Sequence, residues 1–259
     1  MESNIAQAIQ MKYFPVAVVL TDERPEGALQ FQEGKWGCVI AMLNAAAKGK
    51  TAVFNRKTFG CLGGGVGLGF GNVYQNFPGG IEHFLSTGNE DFCNTEFGKS
   101  IAQKMPHLQH GEGYKKSPEI AKKFVDDLPI IDVPTEYIVF KPLEKLAEGE
   151  PPKVVIFLVN PDQLSALVVL ANYPRETNDN VTVPFGAGCQ SIGIIPYKES
   201  ESEFPKATIG LIDITVRAKC DKDILSFAVP HKMFLEMESN VKGSFLEKQE
   251  WIKVLERNK

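Results

Sequence analysis

The sequence has no C-x-x-C pair, and its five cysteines, Cys38, Cys61, Cys93, Cys189 and Cys220, are scattered along 259 residues. Thioredoxin-like and zinc-ribbon sites therefore lose their usual support, and any metal site must be assembled from distant segments. An odd, low cysteine count behind an N-terminus without a basic n-region predicts a cytoplasmic protein rather than a disulfide-framed secreted one. Histidine is scarce, with four residues. His107 and His110 have i, i+3 spacing but lie in MPHLQHGEG, which reads as a solvated loop, and His83 and His231 stand alone. No G-x-S-x-G or H-E-x-x-H occurs, which leaves hydrolase and zincin chemistry without its motifs. Neither sign of charge dominates: 28 Lys and Arg against 32 Asp and Glu give −4. Aromatic residues are not interleaved with basic ones, so no nucleic-acid partner and no anionic membrane surface is expected. The longest apolar runs, such as Val154 to Val159, have the length of a strand and not of a membrane span.

What is present is an ordinary globular composition, 43% hydrophobic and 23% charged, long enough to bury a substantial core. PVAVVL (15–20) and KVVIFLV (153–159) read as buried strands, and so do TAVFN, TEYIVFKPL and ILSFAVP. ATIGLIDITVRAK reads as one long strand. Helices are expected over residues 38–47, in SPEIAKKFVDDLP with Ser117 as N-cap, in NPDQLSALVVLA with Asn160 as N-cap, and twice near the C-terminus. EKLAEGEPPK (144–153) is the best linker candidate. The fold class is α/β (mixed α+β): one domain over 1–259 with mixed sheets and packed helices.

The halves repeat one order of elements. Strand, turn, apolar helix and short strand lead to FGCLGGGVGLG in the first half and to FGAGCQSIGII in the second. An internal duplication over about 12–90 and 153–240 is the expectation, with Cys61 and Cys189 as counterparts 128 residues apart (189 − 61).

Nine of the 23 glycines lie between Gly60 and Gly80. If residues 65–72 are extended, Gly65, Gly67, Gly69 and Gly71 form one bare face, open to another backbone or to a flat ligand. No G-x-G-x-x-G fits between Gly60 and Gly71, and no G-x-x-x-x-G-K-[ST] occurs, so phosphate cradles are excluded. Gly63, Gly64, Gly65, Gly67 and Gly188 are the candidate ligand-binding positions. Close packing without a ligand is the plain structural alternative. Cys38 stands at a helix start, and Cys61 and Cys189 stand in glycine turns whose amides can stabilise a thiolate. These three are candidate soft ligands for an iron–sulfur cluster or another thiophilic metal, with a redox or Lewis-acid role. Buried, functionless thiols are the alternative to that assignment.

PVAVVL…RPEGA, GCVIAMLNAAAKGKTAVF, FGCLGGGVGLGF, YIVFKPL, PFGAGCQSIG and FAVPHKMFLEME together resemble the bacterial and archaeal proteins grouped as domain of unknown function 169. The resemblance spans nearly the whole chain. It implies a cytoplasmic protein whose cysteine-bearing blocks match at Cys38, Cys61 and Cys189, and it implies no particular reaction. Three outcomes are open at this stage: a cysteine-lined metal or cluster site, a non-catalytic small-ligand module built on the glycine-rich segment 60–71, and a homo-oligomer or other assembly packed through the glycines.

Overall fold

The computed structural model describes residues 2–257. In chain order, α1 (Asn4–Ala8) precedes β1 (Val16–Thr21), α2 (Val39–Ala47), β2 (Ala52–Phe54) and α3 (Leu62–Leu68). Five short helices follow: α4 (Ile81–Phe84), α5 (Glu90–Asn94), α6 (Glu96–Ala102), α7 (His107–His110) and α8 (Pro118–Asp126). Then come β3 (Tyr137–Pro142), β4 (Val154–Val159), α9 (Pro161–Asn172), β5 (Val181–Thr182), α10 (Gly188–Ile192) and α11 (Ile194–Glu199). The chain ends with β6 (Ala207–Gly210), α12 (Ile214–Arg217), β7 (Leu225–Pro230), α13 (His231–Ser239) and α14 (Gln249–Arg257).

Two compact units result: residues up to Phe70 together with those from Val133 onward, and residues 71–132. The larger unit holds a seven-stranded mixed sheet in the order β2-β3-β1-β4-β7-β6-β5, which bears out the α/β expectation. Alternation along the strands gives the sheet two buried faces. Ala17, Val19, Val139, Val155, Phe157, Phe227 and Val229 point to one side, where Leu167 and Leu170 of α9 and Met233, Phe234 and Met237 of α13 cover them. Val16, Val18, Phe54, Phe140 and Ile156 alternate to the other side and are fully buried as well, on the side packed by α2, α10 and α11.

The sheet repeats itself about its centre. β1 and β4 pair antiparallel there. Each then pairs antiparallel with the last strand of its own half, β1 with β3 and β4 with β7. Each last strand pairs antiparallel with an outer one, β3 with β2 and β7 with β6. Beyond these, β5 lies parallel to β6, and a single parallel bridge from Leu29 to Ala52 stands in the matching place beside β2. In this order the helix after the Leu29 bridge (α2) corresponds to the helix after β5 (α10). Cys189 is therefore the counterpart of Cys38, 151 residues earlier (189 − 38), and not of Cys61. The Phe-Gly…Cys likeness misleads because it aligns turns at different steps of the fold.

Other differences have local causes. ATIGLIDITVRAK is a strand only to Gly210. Leu211 then takes a left-handed φ of 60°, and Asp213 caps α12 by accepting the Thr215 N–H. The stretch 144–153 is no flexible linker. Lys141 Nζ lies 2.6 Å from Glu150 Oε1, and Glu150 also accepts the Ala147 N–H, so the β3–β4 connection is pinned.

In the smaller unit, DFCNTEFGKSIAQKM splits into two helices because Thr95 ends α5 and caps α6, accepting the Gly98 N–H at 2.9 Å. Ser117 caps α8 as its sequence predicts. His107 and His110 occupy one helical turn, α7, and not a loop.

Candidate functional site

Four chain turns that start helices build the site. Cys38 is the N-cap of α2, extended at φ −103° and ψ 119°, and its side chain makes no capping hydrogen bond. Cys61 is the N-cap of α3, and its Sγ accepts the Gly64 N–H at 3.3 Å. Cys189 is the second residue of α10. Asp213, the N-cap of α12, accepts both the amide and the hydroxyl of Thr215 at Oδ1.

Backbone contacts tie these turns together in pairs. Gly37, just before Cys38, donates its N–H to the carbonyl of Gly60, just before Cys61, at 3.3 Å. Gly188, just before Cys189, donates its N–H to Asp213 Oδ2 at 3.2 Å. Glycine then brings the pairs into contact. A Cβ on Gly67 of α3 would stand 2.5 Å from the Cys189 Cβ, and one on Gly193 would stand 1.9 Å from the Gly67 carbonyl oxygen. One on Gly64 would meet Val39 of α2 at 2.8 Å. Three helices thus approach one another more closely than any side chain would allow.

This settles the conformation of the glycine tract. Residues 62–68 are helical, not extended, so Gly65, Gly67 and Gly69 do not form one bare strand face. Gly69 ends the helix left-handed at φ 97°. Gly64, Gly65, Gly67 and Gly188 are buried, and Gly63 is partly buried in the first turn of α3. For Gly64 and Gly67 the close approach is to neighbouring protein.

The electrostatics bring Cys38, Cys61, Cys189 and Asp213 into one neighbourhood. Burial pushes the Cys61 thiol up; the Gly64 and Gly63 amides oppose this, and the nearby Cys38 and Asp213 add to it. Cys189, 5% exposed, is raised well above an ordinary thiol, first by burial and then by Cys61, Cys38 and Asp213. Both are neutral thiols at pH 7, so they are not free nucleophiles; a bound cation would have to displace their protons. Cys220 is an outer neighbour. Burial raises its thiol, Arg217 opposes this, and Cys38 and Asp221 add to it. Cys93 belongs to the smaller unit. Among the described residues, no three His, Cys, Asp or Glu side chains are grouped as ligands of one metal ion. A surface cleft of about 370 Å³, lined by Gln7, Tyr13, Phe14 and Leu143 among others, shares no residue with these turns.

Sequence reasoning missed Asp213. Its signal was an acid two residues before a threonine after a short β run, the pattern of a helix cap, hidden by reading the segment as one continuous strand.

Residues 4–240 match the family model of domain of unknown function 169, DUF169, described as uncharacterised ArCR. No curated protein and no solved structure matched the chain. Among the described residues, no helix is long and apolar enough to cross a membrane.

Proposed function

The chain belongs to the DUF169 family, and from that premise we propose that it carries an iron–sulfur cluster held by the thiolates of Cys38, Cys61 and Cys189. The observation that supports this reading is the mutual electrostatic reach of three cysteines from distant parts of the chain, all at starts of helices. The partial positive charge at such starts, and the Gly64 amide on Cys61, favour the anionic ligand form.

Cys38, Cys61 and Cys189 would hold three irons of a four-iron cluster, and the iron without a protein sulfur would supply Lewis-acid chemistry toward a substrate. Five unpaired cysteines suit a reducing cytoplasm, where a cluster of this kind persists.

The test is anaerobic reconstitution with iron and sulfide, read by metal and sulfide analysis, absorbance and paramagnetic resonance. Uptake of both, lost when Cys38, Cys61 and Cys189 are together replaced by serine, is the expected result. A folded wild-type chain that takes up neither overturns the assignment. Since bound metal must displace thiol protons, uptake should strengthen as pH rises from 6 to 8.

A further inference from the structure

Independently of any cluster, we propose that α10 is seated on an internal water site formed by the hydroxyls of Ser226, Ser191 and Thr208. The sheet lays out two of the three. Antiparallel pairing sets Thr208 of β6 opposite Ala228 of β7, and Gly210 opposite Ser226. Thr208, Gly210, Ser226 and Ala228 therefore share one face, the one opposite to Phe227. Phe227 lies on the side covered by α9 and α13, so these hydroxyls lie on the side packed by α10. Gly210 puts no side chain among them. A Cβ there would stand 2.1 Å from Ser191 Oγ and 2.8 Å from Ser226 Oγ. The two oxygens are thus at most about 5 Å apart, a span that one water bridges with bonds of about 2.8 Å.

Burial makes the demand for a partner strong. Thr208 and Ser226 are fully buried, and neither Thr208 Oγ1 nor Ser226 Oγ has a hydrogen-bond partner among the described residues. A hydroxyl taken into a core without a bond is costly, and internal waters settle where about two to four polar atoms converge. Ser226 and Ser191 supply two, and Thr208, one diagonal step away on the same face, supplies the third. Ser191 already donates to the Gly188 carbonyl at 2.8 Å and accepts the Leu211 N–H at 3.3 Å. Its remaining lone pair takes a proton of the water, whose oxygen accepts the hydroxyls of Ser226 and Thr208. The water therefore ties β6 and β7, through Ser191, to the residue before Cys189 and to the turn that leads into Asp213.

The test joins a crystal structure of the metal-free protein, at a resolution that shows ordered water, to urea unfolding of wild type, Ser226→Ala and Thr208→Val. An ordered water within hydrogen-bond distance of Ser226 Oγ and Ser191 Oγ is expected. The folding equilibrium constant should fall about fivefold in each variant, because each removes one bond to that water. A dry core gives the opposite sign: deleting an unpartnered buried hydroxyl lifts a desolvation cost, and the variant becomes more stable than wild type. Stability equal to or above wild type in either variant overturns the proposal. So does wild-type density with protein atoms alone around Ser226 Oγ, and that density decides by itself where a variant does not fold. Neither outcome depends on cluster uptake, so the three-thiolate reading stands or fails separately.

Discussion

The two halves of the sheet solve one problem with different chemistry. In the first, the paired turns are joined through backbone, Gly37 to Gly60, and the second helix is capped by the soft thiol of Cys61. In the second, a carboxylate does both jobs, since Asp213 caps its helix and holds the amide before Cys189. The scaffold therefore fixes where helix starts meet, and the capping residue decides the charge and softness delivered there. Substitution can separate the two contributions.

The largest effect is expected at the contact between the halves. Gly67→Val would force a branched side chain into the Cys189 backbone, whose carbonyl carbon would lie 2.6 Å from the new Cβ. A loss of about 3 kcal/mol is expected, the upper end of ordinary overpacking, read from urea unfolding. A loss below about 1 kcal/mol would mean that the close approach of α3 to α10 at Gly67 does not contribute to stability. Next comes the cap comparison. Asp213→Ala removes the acceptor of a buried amide, a second amide and a hydroxyl, so about 2 kcal/mol is expected. Cys61→Ala loses one weak sulfur acceptor and should cost about 1 kcal/mol. Cys61→Ser, which keeps an acceptor at that cap, should stay within about 0.5 kcal/mol of wild type. Equal losses at Asp213 and Cys61 would remove the distinction between the halves.

A smaller effect follows from the raised thiols in the metal-free protein. Cys61 and Cys189 hold their protons to higher pH when folded than when unfolded. Their contribution is intact below the ordinary thiol value of about 8.5 and is lost as pH rises above it, because the unfolded chain releases those protons first. Cys189→Ser should flatten the fall in stability between pH 8 and 10 more than Cys61→Ser does, since Cys189 is buried and Cys61 only partly so. Denaturant midpoints at both pH values decide it. A control for these comparisons lies away from the site. Gly34 has a φ of 70° and open space around it, so Gly34→Ala should cost about 1 kcal/mol from backbone strain alone.

Much of this architecture is legible in residue order. β-branched runs gave the strands β1 and β4, and Ser117 and Asn160 marked two helix starts, Asn160 completing its capping box with Gln163. The glycine tract was misread because alternating glycine satisfies a period of two while carrying almost no side-chain information. The tract is a helix because α10 and the first turn of α2 pack against its bare positions, which is a tertiary cause. The pairing of Cys189 with Cys38 depends on strand order, which local likeness between turns cannot reveal. The three cysteines were visible by type and context, but their shared neighbourhood was not, since their helices meet only once the sheet has formed.

The Val133 N–H donates to the Gly69 carbonyl at 2.8 Å, so the chain leaves and re-enters the larger unit at nearly one point. The 62 residues between Phe70 and Val133 are therefore a removable cassette in the topological sense. A short glycine-containing turn could bridge the cut without stretching β3 or α3, and closing a shorter loop costs less chain entropy than closing a long one. A chain trimmed in this way is expected to keep its sheet and the four helix starts. It would provide a smaller vessel in which to study the thiols.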